Sequence, residues 1–320
     1  MHFLVGDIGG TKSTLAYFDS KAKSVTKQKI FLNKDFSSLE DVVESFVRDL
    51  EQRTTAACFA VAGAIQDQTV RLTNLPWLIS AADLQRRFGY GNVRLLNDVE
   101  ALAYAIPGYP SDGMQAWHQV DAEVRGVKAV IAVGTGLGES FLVPVDRGYC
   151  AFPSEGGHCT FAPREPVQVE LLQWVWENLG HVSYESVCSG SALPRIHNFL
   201  SEKTAKVGGG ETYSARHITD RARNGDPICH EAVQVFGDIL AGKASDLAVT
   251  LLPYGGLYLC GGFLSKVAPL IDRKRFLSGY FRKGRLETTL RKIPVYFIDD
   301  PDLPVKGAIK YSISLQHETA

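Results

Sequence analysis

Three stretches combine glycine with polar side chains in ways that suit phosphate. The first, Gly6-Asp7-Ile8-Gly9-Gly10-Thr11-Lys12-Ser13, falls one residue short of a P-loop, because Thr11 stands where glycine must precede the Lys. A P-loop also opens a helix, whereas Ser13–Phe18, with Thr, Leu, Tyr and Phe, reads as a strand. The stretch is therefore read as a turn between two antiparallel strands. Its backbone N–H groups can still cradle phosphate, since the glycines, Gly9 and Gly10, permit close approach. Thr11 adds a hydroxyl, Lys12 a cation, and Asp7 a carboxylate able to hold Mg²⁺ through water. The second stretch, Gly134-Thr135-Gly136-Leu137-Gly138, also has strands on both sides. It is thus not the strand-to-helix fingerprint of dinucleotide-binding folds. The third, Gly261-Gly262, follows a strand and precedes a helix. Two strand–glycine–strand turns far apart in one chain suit a nucleotide held between two domains, one turn from each. For any one alone, an ordinary hairpin or tight strand–helix packing is the plain alternative.

A second set of residues suits hydroxyl groups. Asn97-Asp98 ends an apolar strand, and ligands of open α/β sheets bind at strand C-termini, although Asn and Asp are also common turn residues. Glu155-Gly156-Gly157-His158 places an acid and an imidazole around two glycines, and Glu185 follows in Ser183-Tyr184-Glu185-Ser186. Carboxylates and imidazole match hydroxyls that both donate and accept. A site built this way rejects analogues lacking a hydroxyl, so the set suits a sugar. A zinc pair of His158 with Cys159 is the alternative, and no second pair at metal spacing lies nearby.

The elements that position these residues follow from periodicity. Phe3–Val5, Ser13–Phe18 and Ser24–Leu32 predict an opening strand meander. Leu39, Val42, Val43, Phe46, Val47 and Leu50 recur at helical spacing, with Ser37 and Glu40 as a capping box. Ala56–Ala62 and Val93–Leu96 read as strands, and Glu100–Ile106 as a helix stopped by Pro107-Gly108. In the second half Ala129–Val133, Ser140–Val143, Leu257–Cys260 and Pro294–Ile298 read as strands. Val169–Leu179 reads as a helix with Leu172, Val175, Trp176 and Leu179 on one face, Glu231–Leu252 as a long amphipathic helix, and Val305–Leu315 as the last helix. Lys203–Tyr213, with Gly208-Gly209-Gly210, reads as a mobile loop. Each half thus joins strands by a glycine turn and returns through helices, which predicts two related α/β domains.

Bulk properties narrow the function classes. A chain of 320 residues with 45% hydrophobic and 22% charged residues has enough apolar content for about two globular domains. A net charge of −1 calls for neither nucleic acid nor an anionic membrane. No stretch approaches the ~18 apolar residues of a membrane span, and the N-terminus lacks the basic start and apolar run of a signal peptide. The six cysteines form no CxxC pair and read as reduced thiols. A cytoplasmic location is expected.

In order and spacing, several of these stretches resemble bacterial glucokinases. They are the opening Val5–Lys12, Leu72-Thr73-Asn74-Leu75-Pro76-Trp77, Leu95-Leu96-Asn97-Asp98, Gly134–Gly138, Ser154-Glu155-Gly156-Gly157-His158, His181-Val182-Ser183-Tyr184-Glu185 and Ser189-Gly190. The opening also resembles the first phosphate motif of the hexokinase–actin–chaperone superfamily. The related ROK family carries a cysteine-rich zinc motif after its Glu-Gly-x-His, where this chain has only Cys159. With the phosphate motif at the start of the sequence, no N-terminal DNA-binding domain is expected. The chain therefore resembles the non-zinc glucokinase branch.

The resemblance implies a two-domain actin-like (ribonuclease H-like) α/β sugar kinase fold with an interdomain cleft. A small domain would hold residues 1–108 plus 298–320, and a large one residues 109–297. Asp98 would be the catalytic base at the sugar 6-hydroxyl, and Asn97, Asp98, Glu155, His158 and Glu185 would bind the sugar. Asp7, Gly9, Gly10, Thr11, Lys12, Gly134, Thr135, Gly136, Gly138, Gly261 and Gly262 would hold Mg-ATP, with Asp7 on Mg²⁺ through water. The reaction implied is phosphorylation of glucose at O6. The alternatives are a kinase for fructose, mannose or an N-acetylated amino sugar, a non-catalytic sugar sensor on the same fold, and an ATPase acting on protein partners. A homodimer is common among similar kinases, and no interface signature is visible in the sequence. Glu139 departs from the family by placing a carboxylate just after the second phosphate turn. It is expected to point outward or to bind Mg²⁺, since it would otherwise repel phosphate.

Overall fold

The computed structural model describes residues 2–48, 50, 54–72, 74–204 and 213–318. The chain divides into two compact units: the first takes residues up to Tyr109, Arg147–Pro153 and those from Pro301 on, and the second takes Pro110–Asp146 and Ser154–Asp300. The segment Arg147–Pro153 thus groups with the first unit, although it lies inside the 109–297 span of the expected large domain. Gly208-Gly209-Gly210 lies outside the described residues.

The first unit is built on β1 (His2–Ile8), β2 (Lys12–Asp19), β3 (Ser24–Leu32), α1 (Leu39–Val47), β4 (Ala56–Val61), β5 (Thr69–Arg71), β6 (Leu78–Ser80), α2 (Ala81–Phe88), β7 (Asn92–Asn97) and α3 (Asp98–Ala105), with a C-terminal helix over Leu303–Glu318. Its sheet runs β3-β2-β1-β4-β7. β1 pairs antiparallel with β2 and parallel with β4, and β4 pairs parallel with β7.

The strands explain why the sequence reads as unbroken apolar runs. Leu4 and Ile8 of β1, with Ala57, Phe59 and Val61 of β4, face a core that includes Leu39, Val42 and Phe46 of α1. Phe3, Val5, Cys58 and Ala60 face the opposite core, made with Ala101 of α3 and Val305 and Ala308 of the C-terminal helix. Side chains alternate along a strand, so a strand covered on both faces needs apolar residues at every position. The C-terminal helix packs so closely on α3 that a Cβ at Gly307 would overlap the Ala101 carbonyl.

The second unit contains β8 (Met114–His118), β9 (Lys128–Val133), β10 (Leu137–Val145), α4 (Pro166–Leu179), α5 (Tyr184–Val187), α6 (Leu193–Thr204), α7 (Ala215–Arg223), α8 (Pro227–Leu251), β12 (Leu257–Cys260), α9 (Leu264–Val267), α10 (Arg273–Phe281), α11 (Glu287–Leu290) and β13 (Val295–Ile298), with β11 (Gly148–Ser154) between β10 and α4 in the chain. β9 pairs antiparallel with β10 and parallel with β12, which pairs parallel with β13, and β8 runs antiparallel beside β13. The hairpin-then-parallel arrangement of β1, β2 and β4 therefore recurs in β9, β10 and β12, as the echo between the two halves predicts. Helix α8 is the spine of this unit, buried along Ala232–Ser245 except at Asp238. No helix among the described residues is long and apolar enough to cross a membrane.

Three local expectations are corrected. The N-cap of α1 is Ser38, whose side chain accepts from the Asp41 backbone N–H, so Ser37 and Glu40 form no box. Helix α3 begins at Asp98 rather than Glu100. On α4 the buried face is Gln168, Leu171 and Val175, while Trp176 is 60% exposed and Leu179 is also exposed.

Candidate active site

In the first unit the β1–β2 turn closes through Gly9 N–H donating to the Lys12 carbonyl at 3.1 Å. Asn33, just past β3 and 1% exposed, braces this turn from behind. Its Nδ2 donates to the Gly9 carbonyl at 2.7 Å, its backbone N–H donates to the Thr11 carbonyl at 3.0 Å, and its Oδ1 accepts from Ser13 Oγ at 2.8 Å. A polar residue this deeply buried is tolerated because its hydrogen-bonding groups are engaged. Lys12 stays exposed at the turn.

Asp7 sits near the C-terminal end of β1. Burial pushes its carboxyl up to about 7, the charges of Asp98 and Asp302 push the same way, and Lys12 opposes them. This is a concentration of negative charge that a cation would relieve. Asp98 is the first residue of α3, directly after β7, and its Oδ1 accepts from the Val99 N–H at 2.9 Å.

Asn97 is the cap of α3. Its Oδ1 accepts from the N–H groups of Val99 and Glu100 at 3.0 and 3.3 Å, and Glu100 returns a bond to the Asn97 N–H. Its Nδ2 donates to the Gly63 carbonyl at 3.2 Å, which leaves one amide hydrogen for a ligand. Glu100 is thereby accounted for as the far half of a capping box. Gln68 fixes the end of β7 from its edge, where its carboxamide accepts from Leu95 N–H at 2.8 Å and donates to Leu95 O at 3.2 Å.

In the second unit the turn after β9 is held from three sides. Gly190 N–H donates to Gly134 O at 2.9 Å, Ser191 N–H to Thr135 O at 3.2 Å, and Leu137 N–H to Glu185 Oε2 at 2.8 Å. Phe263 N–H donates to Val133 O at 3.1 Å. Gly261 has φ +110°, and a Cβ there would lie 2.5 Å from Val133 O, so no other residue fits. At Gly134 and Gly262 a Cβ would meet no protein atom within 4 Å. Internal packing therefore does not demand glycine at those two positions, which are open to a ligand.

The Glu155–His158 turn sits on β10. A Cβ at Gly157 would overlap the Leu137 carbonyl, and one at Gly156 would overlap the Glu139 carboxylate. Glu155 Oε2 and His158 Nε2 are 3.9 Å apart and both side chains are solvent-exposed. Tyr184 N–H donates to Cys159 O at 2.9 Å, which ties the segment carrying Glu185 to this turn. Glu185 itself is partly spent on the Leu137 backbone.

Glu139 overturns its expectation. It points inward, 2% exposed, and pairs with Lys243 of α8, whose Nζ lies 2.7 Å from Glu139 Oε1. Burial pushes the Glu139 carboxyl up and Lys243 opposes that push. The expected repulsion of phosphate does not arise, because the charge is neutralised in the interior.

Comparison with known proteins decides the family. The family model described as Glucokinase matches residues 4–314. The chain is 33% identical to the glucokinase of Nostoc punctiforme, over 95% of this chain and 97% of that protein. The belonging follows from these two matches.

The chain belongs to the glucokinase family. Its structure resembles that of a glucokinase from an Antarctic psychrotroph at TM-score 0.86 and 28% identity, covering 97% of this chain and 98% of that one. It also shares the fold of the Balamuthia mandrillaris glucokinase solved with glucose, at TM-score 0.83 and 21% identity, over 97% of this chain and 92% of that one. The fold is the two-domain, actin-like α/β kinase fold of the glucokinases. Within it, sequence reasoning missed Asn33, Gln68 and Lys243. Lys243 left a trace: it is the one charge inside the apolar run Ile239–Val249 apart from Asp246. Asn33 and Gln68 left none, since each acts on backbone groups distant in the chain.

Proposed function

We propose that this chain transfers the γ-phosphoryl group of ATP to O6 of glucose. The observation that carries the reading is the glucokinase-family match over residues 4–314 in a chain that keeps a carboxylate, Asp98, at the first position of α3, where β7 ends. In this reading Asp98 accepts the 6-hydroxyl proton as the O6–phosphorus bond forms and the bond from phosphorus to the bridging oxygen of ADP breaks. A weak base suffices where the transition state is loose and positioning dominates. Asn97, Glu155, His158 and Glu185 hydrogen-bond the sugar hydroxyls. The Gly9–Lys12 and Gly134–Gly138 turns take the phosphates through the N–H groups they do not spend internally, with Thr11, Thr135 and the Lys12 ammonium, and Gly261-Gly262 lies against the nucleoside. When bound, Mg²⁺ neutralises phosphate charge. The acidic surroundings of Asp7 suit it as the residue that holds this ion through water.

The same reading divides the chain into a small domain, 1–108 plus 298–320, and a large one, 109–297. It also includes a cytoplasmic homodimer, which light scattering on the purified protein checks. The deciding experiment measures ADP release from Mg-ATP with and without glucose, mannose, fructose and N-acetylated hexosamines. Glucose-specific stimulation is expected. Stimulation by another sugar would move the specificity, and none by any sugar would overturn the kinase reading.

A further inference from the structure

We propose that Lys243 is a positioning residue for the sugar: its buried ammonium fixes the Glu155–His158 turn through the Gly156 carbonyl. The inference rests on the reading in which that turn binds the sugar hydroxyls. Lys243 lies in the middle of α8 among small buried residues, Ala241, Gly242, Ala244 and Ser245, and is itself 5% exposed. A charge placed there is costly unless it is paired and hydrogen-bonded.

Its three N–H groups have a defined set of partners. One faces Glu139 at 2.7 Å, another donates to Gly156 O at 2.9 Å, and the ammonium stands 4.9 Å from the centre of the Tyr184 ring. Neutralising Glu139 alone requires no bond to Gly156. That bond joins the pair to the turn whose flanking residues are Glu155 and His158. The glycines at 156 and 157 bring the turn flat against β10, so steric fit sets its height. The Lys243 bond then sets where the turn lies along the strand. Glu139 belongs to the same strand that begins at the second phosphate turn, so the pair fixes the sugar-binding turn to that strand.

The test removes both charges together, since a lone buried charge would destabilise the protein for reasons unrelated to the sugar. Glu139→Leu with Lys243→Met is the main variant, and Glu139→Gln with Lys243→Gln, a neutral pair of similar size, serves where the first does not fold. Glucose KM, ATP KM, kcat and the thermal midpoint are measured for wild type and variant. The expected result is a near-native midpoint, a glucose KM raised by about tenfold or more, as loss of a fixed hydrogen-bond geometry warrants, and an ATP KM changed much less. A folded variant with wild-type glucose KM would overturn the role, as would equal rises in both KM values. A wild type without glucose-stimulated ADP release would overturn the sugar reading, and this role with it. An active wild type beside a variant of unchanged glucose KM would overturn this role alone.

Discussion

The Asn33 carboxamide and the Gly9 carbonyl are joined by a 2.7 Å hydrogen bond behind the first glycine turn. Since the Asn33 carboxamide also accepts from Ser13 Oγ and its backbone N–H donates to Thr11 O, one buried residue sets the path of the turn. Replacing it with Ala removes the side-chain partner of two groups, the Gly9 carbonyl and the Ser13 hydroxyl, at about 1–3 kcal/mol for each left unsatisfied. Asn33→Ala is expected to lower the thermal midpoint and raise ATP KM about tenfold or more, with glucose KM little changed. Steady-state kinetics with each substrate varied in turn check this, and an unchanged ATP KM would refute it.

Asp98→Asn keeps the size of the side chain and its place at the start of α3. General base catalysis is worth roughly 10²–10⁴-fold, so kcat is expected to drop by at least about a hundredfold while glucose binding, read by calorimetry, survives. Turnover near the wild-type value would remove Asp98 from the mechanism.

Gly261 and Gly262 are neighbours with different reasons to be glycine. Gly261→Ala places a Cβ against Val133 O at a positive φ, so a lower midpoint is expected along with weaker ATP binding. Gly262→Ala meets no protein atom within 4 Å. It is expected to leave the midpoint unchanged and raise ATP KM. A Gly262→Ala protein with normal ATP KM would show that the nucleotide does not lie there.

Asp226 caps α8, accepting from Ile228 and Cys229 N–H at 3.1 and 3.0 Å. Its carboxyl is held down to about 2, first by the Cys229 N–H and then by Arg221. A depressed acid stabilises the fold above its unfolded pKa of about 3.9 and loses that contribution as pH falls towards the folded value. Asp226→Ala should therefore cost about 0.5–2 kcal/mol at pH 7. The gap to wild type in chemical denaturation should narrow below about pH 4. A gap that is constant with pH would show that the carboxylate's charge contributes nothing.

The strands were the most legible part of the fold. Leu257–Cys260 matches its strand end to end, because a fully buried apolar run bounded by turn residues leaves little freedom, and Ser24–Leu32 matches as well, although it is an edge strand exposed along most of its length. The glycine turns were legible because clustered glycines punctuate the strands on either side of them. Helix α7, Ala-Arg-His-Ile-Thr-Asp-Arg-Ala-Arg, was not read at all, since only Ile218, Thr219 and Ala222 are buried and so few residues carry no readable period. On α4, Leu172, Val175, Trp176 and Leu179 and the true face Gln168, Leu171 and Val175 both have helical spacing. Periodicity alone cannot choose between two such stripes. Glu139 was read wrongly because its partner lies more than a hundred residues away in α8, and no local pattern reports a pairing at that distance.

The C-terminal helix supplies Val305 and Ala308 to the core beneath β1 and β4 and packs through Gly307 onto α3, the helix that starts with Asp98. During synthesis, therefore, the opening hundred or so residues cannot complete the second of their two cores until Leu303–Glu318 leaves the ribosome, so the ordinary order in which N-terminal domains fold first does not hold for that face of the sheet. Nascent chains halted before Leu303 should keep their N-terminal segment open to protease while the segment of the second unit is already resistant. A chain cut short before Leu303 would thus carry β1 and β4 with one face left uncovered, and α3, with Asp98 at its start, without the helix it packs against.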